Sequence, residues 1–204
     1  NGIPPRSSVS SAPKPKIERF HEQWPGFELR VDARDQLVDL RRDDVDVALR
    51  HGPGGYEGLE VEYLPPRPVF PVCSPGLLER YGPLTTLDDL VRFPLLHIEW
   101  RHTTRTVPDW RSWLDSVGGR APDAAAGPRF SQQGMALDAA VAGQGVALAN
   151  DLLVENDLAS GRLVRPLEEH SLQEYRYFLV CLPEARDVLR VRAFREWIRA
   201  EIGG

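Results

Sequence analysis

The chain has 204 residues, with 25 Lys and Arg against 30 Asp and Glu, and a formal net charge of −5. An apolar content of 42% is ordinary for a globular protein and sufficient for one sizeable core or two smaller ones. The negative charge argues against a grip on nucleic acid by this chain alone, and no apolar run reaches membrane-spanning length or reads as an export signal. Cys73 and Cys181 lie in apolar, strand-like runs and read as buried free thiols of a reducing, cytoplasmic compartment; they would pair only if adjacent in space. The second cysteine pair that a zinc site needs is missing, so no metal or other cofactor is expected.

Residues 1–8 carry no pattern and read as a linker, leading into a short strand over 9–12. Pro15 suits the first position of a helix in which Ile17, Phe20 and Trp24 repeat at helical spacing, and Pro25-Gly26 stops it. A strand over 27–31 is followed by Asp35 as the cap of a helix carrying Leu37, Val38 and Leu40. Val45, Val47 and Leu49 alternate with polar residues as in a half-buried strand, and 59–64 alternates again after a glycine-rich loop. Pro65-Pro66-Arg67-Pro68 stiffens a connection and is the first candidate hinge. Beyond it lies an apolar strand over 69–73, then Ser74-Pro75-Gly76, which joins an N-cap to a proline at the first helical position. Thr86 and Asp89 have capping-box spacing for a short helix, 95–98 is a strand, and Asp109 caps a helix whose Trp110, Trp113, Leu114 and Val117 form one stripe.

The stretch 130–151 is the most informative. It predicts a strand, the polar turn Ser131-Gln132-Gln133, a helix over 133–142 that is apolar almost all round, a glycine turn at Gly143 and a buried strand over 146–149. Asn150 or Asp151 then caps the next helix. Strands over 162–164 and 175–181 follow, and a helix over 185–202 closes the chain, with Arg190, Arg192, Arg195 and Arg199 predicted on its solvated side. Strands alternating with helices predict an α/β fold with largely parallel sheets. The break at 65–68, with a second crossing near 168–174, predicts two lobes: 9–68 with 175–204, and 69–174. In such folds ligands lie beyond the carboxyl ends of strands, where helix N–H groups point outward. Ser131, Gln132, Gln133 and Asn150 occupy such ends and are candidates for one wall of a small-molecule site.

Four segments taken in order carry a resemblance: Asp39-Leu-Arg-Arg-Asp-Asp-Val-Asp-Val-Ala-Leu-Arg-His-Gly52, Pro71-Val-Cys-Ser-Pro75, Phe93-Pro-Leu-Leu-His97, and residues 133–150. This set resembles the effector-binding domain of LysR-type transcription regulators, in the branch of glycine-cleavage activators and β-lactamase regulators, over nearly the whole chain. The resemblance implies two Rossmann-like lobes joined by two crossover strands, in the manner of type 2 periplasmic binding proteins, with an effector cleft between them. It implies a small-molecule effector, a homodimer that becomes a tetramer in the full-length protein, and DNA contact only through an N-terminal helix-turn-helix outside these residues. By position it marks Ser10 or Ser11, Ser74, Ser131 with Gln132 or Gln133, and Asn150 as cleft residues. The chain departs from the family at Pro13-Lys14-Pro15-Lys16, where members continue into a helix of apolar and small residues.

The rival readings are fewer. An exported solute-binding protein of a transporter shares the bilobed plan but wants an export signal. An enzyme wants a nucleophile–base pair or metal cluster, and none has proper spacing. His97 and Glu99 share a strand face without an evident third ligand, Gly143-Gln-Gly145 follows a helix rather than preceding one, and Gly52-Pro-Gly-Gly55 lacks the lysine of a phosphate loop. Arg50 and His51 end a strand with reach toward a carboxylate, and Trp100 is a stacking candidate.

Overall fold

The computed structural model describes residues 6–9, 17–32, 38–52, 54–99, 109–120, 126–172 and 176–202. The elements run β1 (Arg6–Val9), α1 (Ile17–Gln23), β2 (Arg30–Asp32), β3 (Val47–Gly52), β4 (Glu60–Tyr63), β5 (Pro68–Val72), α2 (Pro75–Tyr81), β6 (Leu95–Ile98) and α3 (Trp110–Ser116). Then come β7 (Arg129–Phe130), α4 (Gln133–Val141), β8 (Val146–Asn150), α5 (Asp151–Ala159), β9 (Ser171–Leu172), β10 (Arg176–Cys181) and α6 (Leu189–Ile202). They fall into two compact units, residues 1–66 with 174–204 and residues 67–173.

The first unit holds a sheet in the order β2-β1-β3-β10-β4. β1 pairs parallel with β2 and β3, whereas β10 runs antiparallel to both of its neighbours. The second unit holds the order β7-β6-β8-β5-β9, with β6 parallel to β7 and β8, and β5 antiparallel to β8 and β9. Both sheets are therefore mixed, where the alternation of strands and helices predicts mainly parallel ones. The exceptions have a common origin. β5 and β10 each enter a sheet directly from the other unit, without a crossover helix on the same sheet, so nothing in a β-α-β connection fixes their direction.

Local expectations mostly hold. α2 has Ser74 as N-cap, Pro75 inside and Gly82 at φ 88° beyond its end. α3 has the reciprocal box of Asp109 and Ser112, with distances of 2.7 and 3.1 Å. Asp89 Oδ2 accepts from the Thr86 amide at 2.9 Å, but the segment Leu87–Arg92 that it opens is a 3-10 helix rather than an α-helix. Residues 38–44 form turns, and the expected Asp35 cap lies outside the described residues. Residues 162–164 contribute a single bridge, Val164 to Cys73, rather than a strand. The last helix starts at Leu189 after a 3-10 turn at Pro183–Ala185, because Pro183 opens a separate short turn.

The second unit's core is split across its sheet. On one side Trp110, Trp113 and Leu114 of α3 and Leu77 of α2 pack with Leu95 and Val146. On the other, Leu137, Ala139 and Ala140 of α4 pack with Leu96, Ala147 and Ala149. In the first unit Phe20 of α1 is fully buried, with its ring 5.2 Å from that of Trp197 and 6.4 Å from that of Phe194 on α6.

The arginine row of α6 departs from its expected solvated role. Arg195 is buried and donates through Nε to Glu62 Oε2 at 2.9 Å, and Arg199 Nη2 donates to the same oxygen at 3.0 Å. Arg190 Nε reaches Asp46 at 2.9 Å and Arg186 Nη1 reaches Glu60 at 2.9 Å. Arg192, 3.9 Å from Glu196 within the helix, and Arg199 remain exposed as expected. A helical wheel does not reveal this, because the long arginine stem lies along apolar surface while its head seeks a carboxylate on the sheet.

Burial alone would raise the Glu62 carboxyl, but the hydrogen bonds from Arg199 and Arg195 outweigh it and hold the group below its ordinary range. The stabilisation is therefore complete above the unfolded-state value near about 4.3 and fades as pH falls through the lower folded value. Glu62→Gln is expected to lose about 2 kcal/mol at neutral pH, since it leaves Arg195 buried without its anion. Urea unfolding at pH 7 and pH 3 should show that difference shrinking on acidification; a pH-independent difference would contradict the pairing.

Candidate functional site

The chain direction places the candidates. β6, β7 and β8 run parallel, with Ile98 opposite Phe130 and Leu96 opposite Ala147. Glu99 donates its amide to Phe130 O at 2.7 Å. Ser131, Glu99 and Asn150 therefore leave their strands at one edge of the sheet. β5 runs the other way, with Val69 opposite Asn150, so its start, next to Arg67, belongs to this edge as well.

α4 begins here. Its N-cap is Gln132, in extended conformation and without a side-chain cap hydrogen bond, and there is no acidic residue in its first turn. Ser131, Gln132, Gly134 and Met135 are exposed. Gln133 is half-buried and donates through Nε2 to Leu148 O at 3.5 Å, which ties the first turn to β8. The helix that follows is buried at Ala136, Leu137, Ala139 and Ala140. The outcome is an N-terminus carrying the positive end of the helix dipole, open to solvent, on a helix that is otherwise anchored.

α5 begins at the same edge but is closed differently. Asn150 is buried, caps the helix by accepting from Leu153 N at 3.2 Å, and adjoins Asp151, whose Oδ1 accepts from the Leu152 amide at 2.9 Å. Arg67 Nη1 donates to the other oxygen of Asp151 at 3.3 Å, with the Arg67 side chain only 15% exposed. Arg67 was legible only as part of a proline-rich connection. Its place beside Asn150 follows from the reversal of β5, for which the sequence carries no local signal.

Ser74 does not join this group. It follows the end of β5 and so lies at the opposite edge of the sheet, where its Oγ accepts from Leu77 N at 3.3 Å as the cap of α2. A methyl group on Gly143 would come within 3.2 Å of that Oγ, which marks how closely α2 approaches the far end of α4. Arg80 Nη1 donates to the Gly143 carbonyl there at 3.3 Å, a cation at a helix C-terminus. Ser10, Ser11, Trp100 and the Pro13–Lys16 departure lie outside the described residues.

Other candidates have structural employment. His97 is buried and its Nε2 donates to Ala126 O at 2.8 Å. Among the described residues no group of three His, Cys, Asp or Glu side chains is placed to hold a metal ion. Arg50 donates to Val38 O at 2.7 Å and lies 4.7 Å from the Tyr56 ring centroid; burial lowers its pKa, and Tyr56 opposes that shift. Cys73 and Cys181 are free and buried, and burial pushes the Cys73 thiol up to about 11. No helix among the described residues is long and apolar enough to cross a membrane.

The two capping residues separate experimentally. Ser74→Ala and Asn150→Ala are each expected to lower stability by about 1 kcal/mol in the absence of any ligand. A melting temperature unchanged in either variant would contradict that capping role.

The sequence profile of the LysR substrate binding domain matches residues 10–203. The glycine cleavage system transcriptional activator of Escherichia coli K12 is 37% identical over 187 residues, which is 92% of this chain and 59% of that protein. The transcriptional activator AmpR of Rhodobacter capsulatus is 28% identical over 92% of this chain and 61% of its own length. The chain thus spans about three fifths of the curated relatives that it matches. Among solved structures, the AmpR effector binding domain from Citrobacter freundii superposes with a TM-score of 0.80 at 24% identity, covering 99% of both chains. The CrgA regulatory domain from Neisseria meningitidis gives 0.76 at 19% identity and covers both chains fully. These two likenesses concern the fold, which is the α/β, periplasmic-binding-protein-like fold of LysR effector-binding domains.

Proposed function

This chain belongs to the LysR substrate-binding domain family, and from that premise we propose that it senses a small polar or anionic effector at the edge of the second unit marked by Ser131, Gln132, Gln133 and Asn150. Its matched relatives are transcription regulators, which removes the basis for the transporter reading and makes this the effector-binding part of a LysR-type regulator.

The observation that carries the site is the open N-terminus of α4. A helix anchored by its buried Ala136, Leu137, Ala139 and Ala140, with no side-chain cap and no acid in its first turn, presents amide hydrogens at a solvent-facing edge. Such an end favours an anion, and the Ser131 hydroxyl and the two glutamine amides beside it add donors and acceptors for the remaining polar groups. Ser10 and Ser11 belong to the same proposal through the family resemblance alone.

Binding regulates only through differential affinity for two states of the protein. We take those states to be arrangements of a homodimer, tetrameric in the full-length regulator, that place a helix-turn-helix module on DNA. Helix α1 with either α2 or α4 is the proposed pairing surface, and the compartment is the cytoplasm. Light scattering at high concentration is expected to show a dimer; monomers alone would tell against the pairing. Metabolite titration by calorimetry is expected to find an effector whose affinity falls about tenfold in Ser131→Ala, the loss of one hydrogen bond to a charged group. Equal affinity for wild type and variant would remove Ser131 from the site.

A further inference from the structure

We propose that Arg50 anchors a second anion site, on the first unit, for a small carboxylate carried on a flat apolar body. The carboxylate takes the unused donors of the guanidinium, and the body lies along the aromatic row of Tyr56, Phe178 and Tyr63. The site uses residues of the first unit alone and does not rest on the reading of α4 given above.

Arg50 belongs to β3, two residues before that strand ends, at the edge where β1 also ends, since Val9 stands opposite Leu49. The carboxyl ends of parallel strands are where open α/β sheets take their ligands. The guanidinium is half-buried, and its one protein acceptor is Val38 O, 2.7 Å from Nη2. A guanidinium carries five N–H donors, so most of them remain to be used. Among the described residues no carboxylate pairs with it, and neither Nε nor Nη1 is sealed from solvent. Burial accordingly lowers its pKa, and only Tyr56 opposes that shift. A cation drawn out of water without an anion is unfavourable, and a ligand carboxylate gripping two donors relieves it. The rings supply the rest of the site. Arg50 is opposite Phe178 and Phe178 is opposite Tyr63, so the three share one face of the sheet. The Tyr56 ring lies 4.7 Å from the guanidinium carbon and 5.4 Å from the Phe178 ring, and the Tyr63 ring lies 5.3 Å from that of Phe178. Phe178 is buried, whereas Tyr63 is 69% exposed. The row therefore runs from a cation to an open aromatic face across two strand spacings, about 10 Å, which a ring with a short acidic arm fills. A neutral ligand of the same shape offers the guanidinium no anion and is rejected.

Phenylacetate, its neutral counterpart phenylacetamide, and acetate serve as probes on the isotope-labelled chain, read through the Arg50 Nε–Hε resonance and the Tyr63 ring protons. Phenylacetate is expected to shift both saturably. Acetate should shift the Arg50 resonance with about fivefold weaker affinity, having no ring to lay on Tyr63, and phenylacetamide should shift neither. Tyr63→Ala, at an exposed position, should reduce phenylacetate to the affinity of acetate. Arg50→Lys keeps the charge but loses the two-point grip, and should weaken phenylacetate about tenfold, read at Tyr63. Thermal melts establish that each variant is folded; if Arg50→Lys is not, Tyr63→Ala and phenylacetamide decide alone. The proposal is overturned by the lack of a saturable shift at Arg50, by phenylacetamide binding as well as phenylacetate, or by Tyr63→Ala leaving the advantage of phenylacetate intact. Shifts confined to the amides of Gln133, Gly134 and Met135 assign the anion to α4 instead; they overturn this site and leave that reading standing.

Discussion

The second unit depends on how near α4 lies to the strands beneath it. The face it presents to β6 and β8 is largely alanine, and at Gly145, just before β8, even one methyl group would come within 2.5 Å of the Pro94 carbonyl. Gly127, before β7, is tighter still: a methyl there would meet Leu95 O at 2.0 Å. The glycines therefore let the chain entering β7 and β8 approach β6 backbone to backbone, while the alanines of α4 let the helix pack closely on that sheet. A helix so placed has little freedom to withdraw its first turn. The amides of Gln133, Gly134 and Met135 are accordingly held at the sheet edge, which is the condition for a preorganised ligand wall.

Much of this was legible in the residues. Ser74-Pro75, Asp109, and Asn150 or Asp151 announce helix starts through local chemistry, and Ser74, Asp109 and Asn150 are found as the caps. The run from Gln133 to Gly143 announces a helix with little polar surface, and Ala136, Leu137, Ala139 and Ala140 are buried as expected, whereas Met135, read with them, is exposed. What stayed hidden has one cause: it is decided by elements distant in sequence. The direction of β5 depends on where the chain enters the sheet. That reversal sends Ser74 to the far edge, as the cap of α2, and brings Arg67 to the near one. The pairing of Arg195 with Glu62, across 133 residues, likewise cannot be seen from either neighbourhood. A wheel projection counts arginine as solvent-facing and has no means to record a carboxylate waiting on the adjacent strand.

The two units are organised by different forces. In the first, α6 packs against α1 through the rings of Phe20, Phe194 and Trp197 and is tied toward the sheet by ion pairs from Arg190 and Arg195 to Asp46 and Glu62. In the second, α3 is fastened by indole hydrogen bonds, Trp113 Nε1 to Val69 O at 2.9 Å and Trp110 Nε1 to Leu96 O at 3.0 Å. The Trp113 bond falls on the residue opposite Asn150, so the helix on one face of the sheet braces the edge where α5 begins. Aromatic rings here supply apolar volume and one directed donor each, a combination that aliphatic side chains do not offer.

The sheltered thiols have a practical corollary. Cys73 and Cys181 are both enclosed, and their raised pKa values keep them in the unreactive protonated form near neutrality. A single cysteine introduced at an exposed position, such as Gln132, would then be the one thiol that a maleimide dye or spin label finds. Movements of the α4 entrance become observable in the otherwise native protein, with no need to strip its own cysteines first.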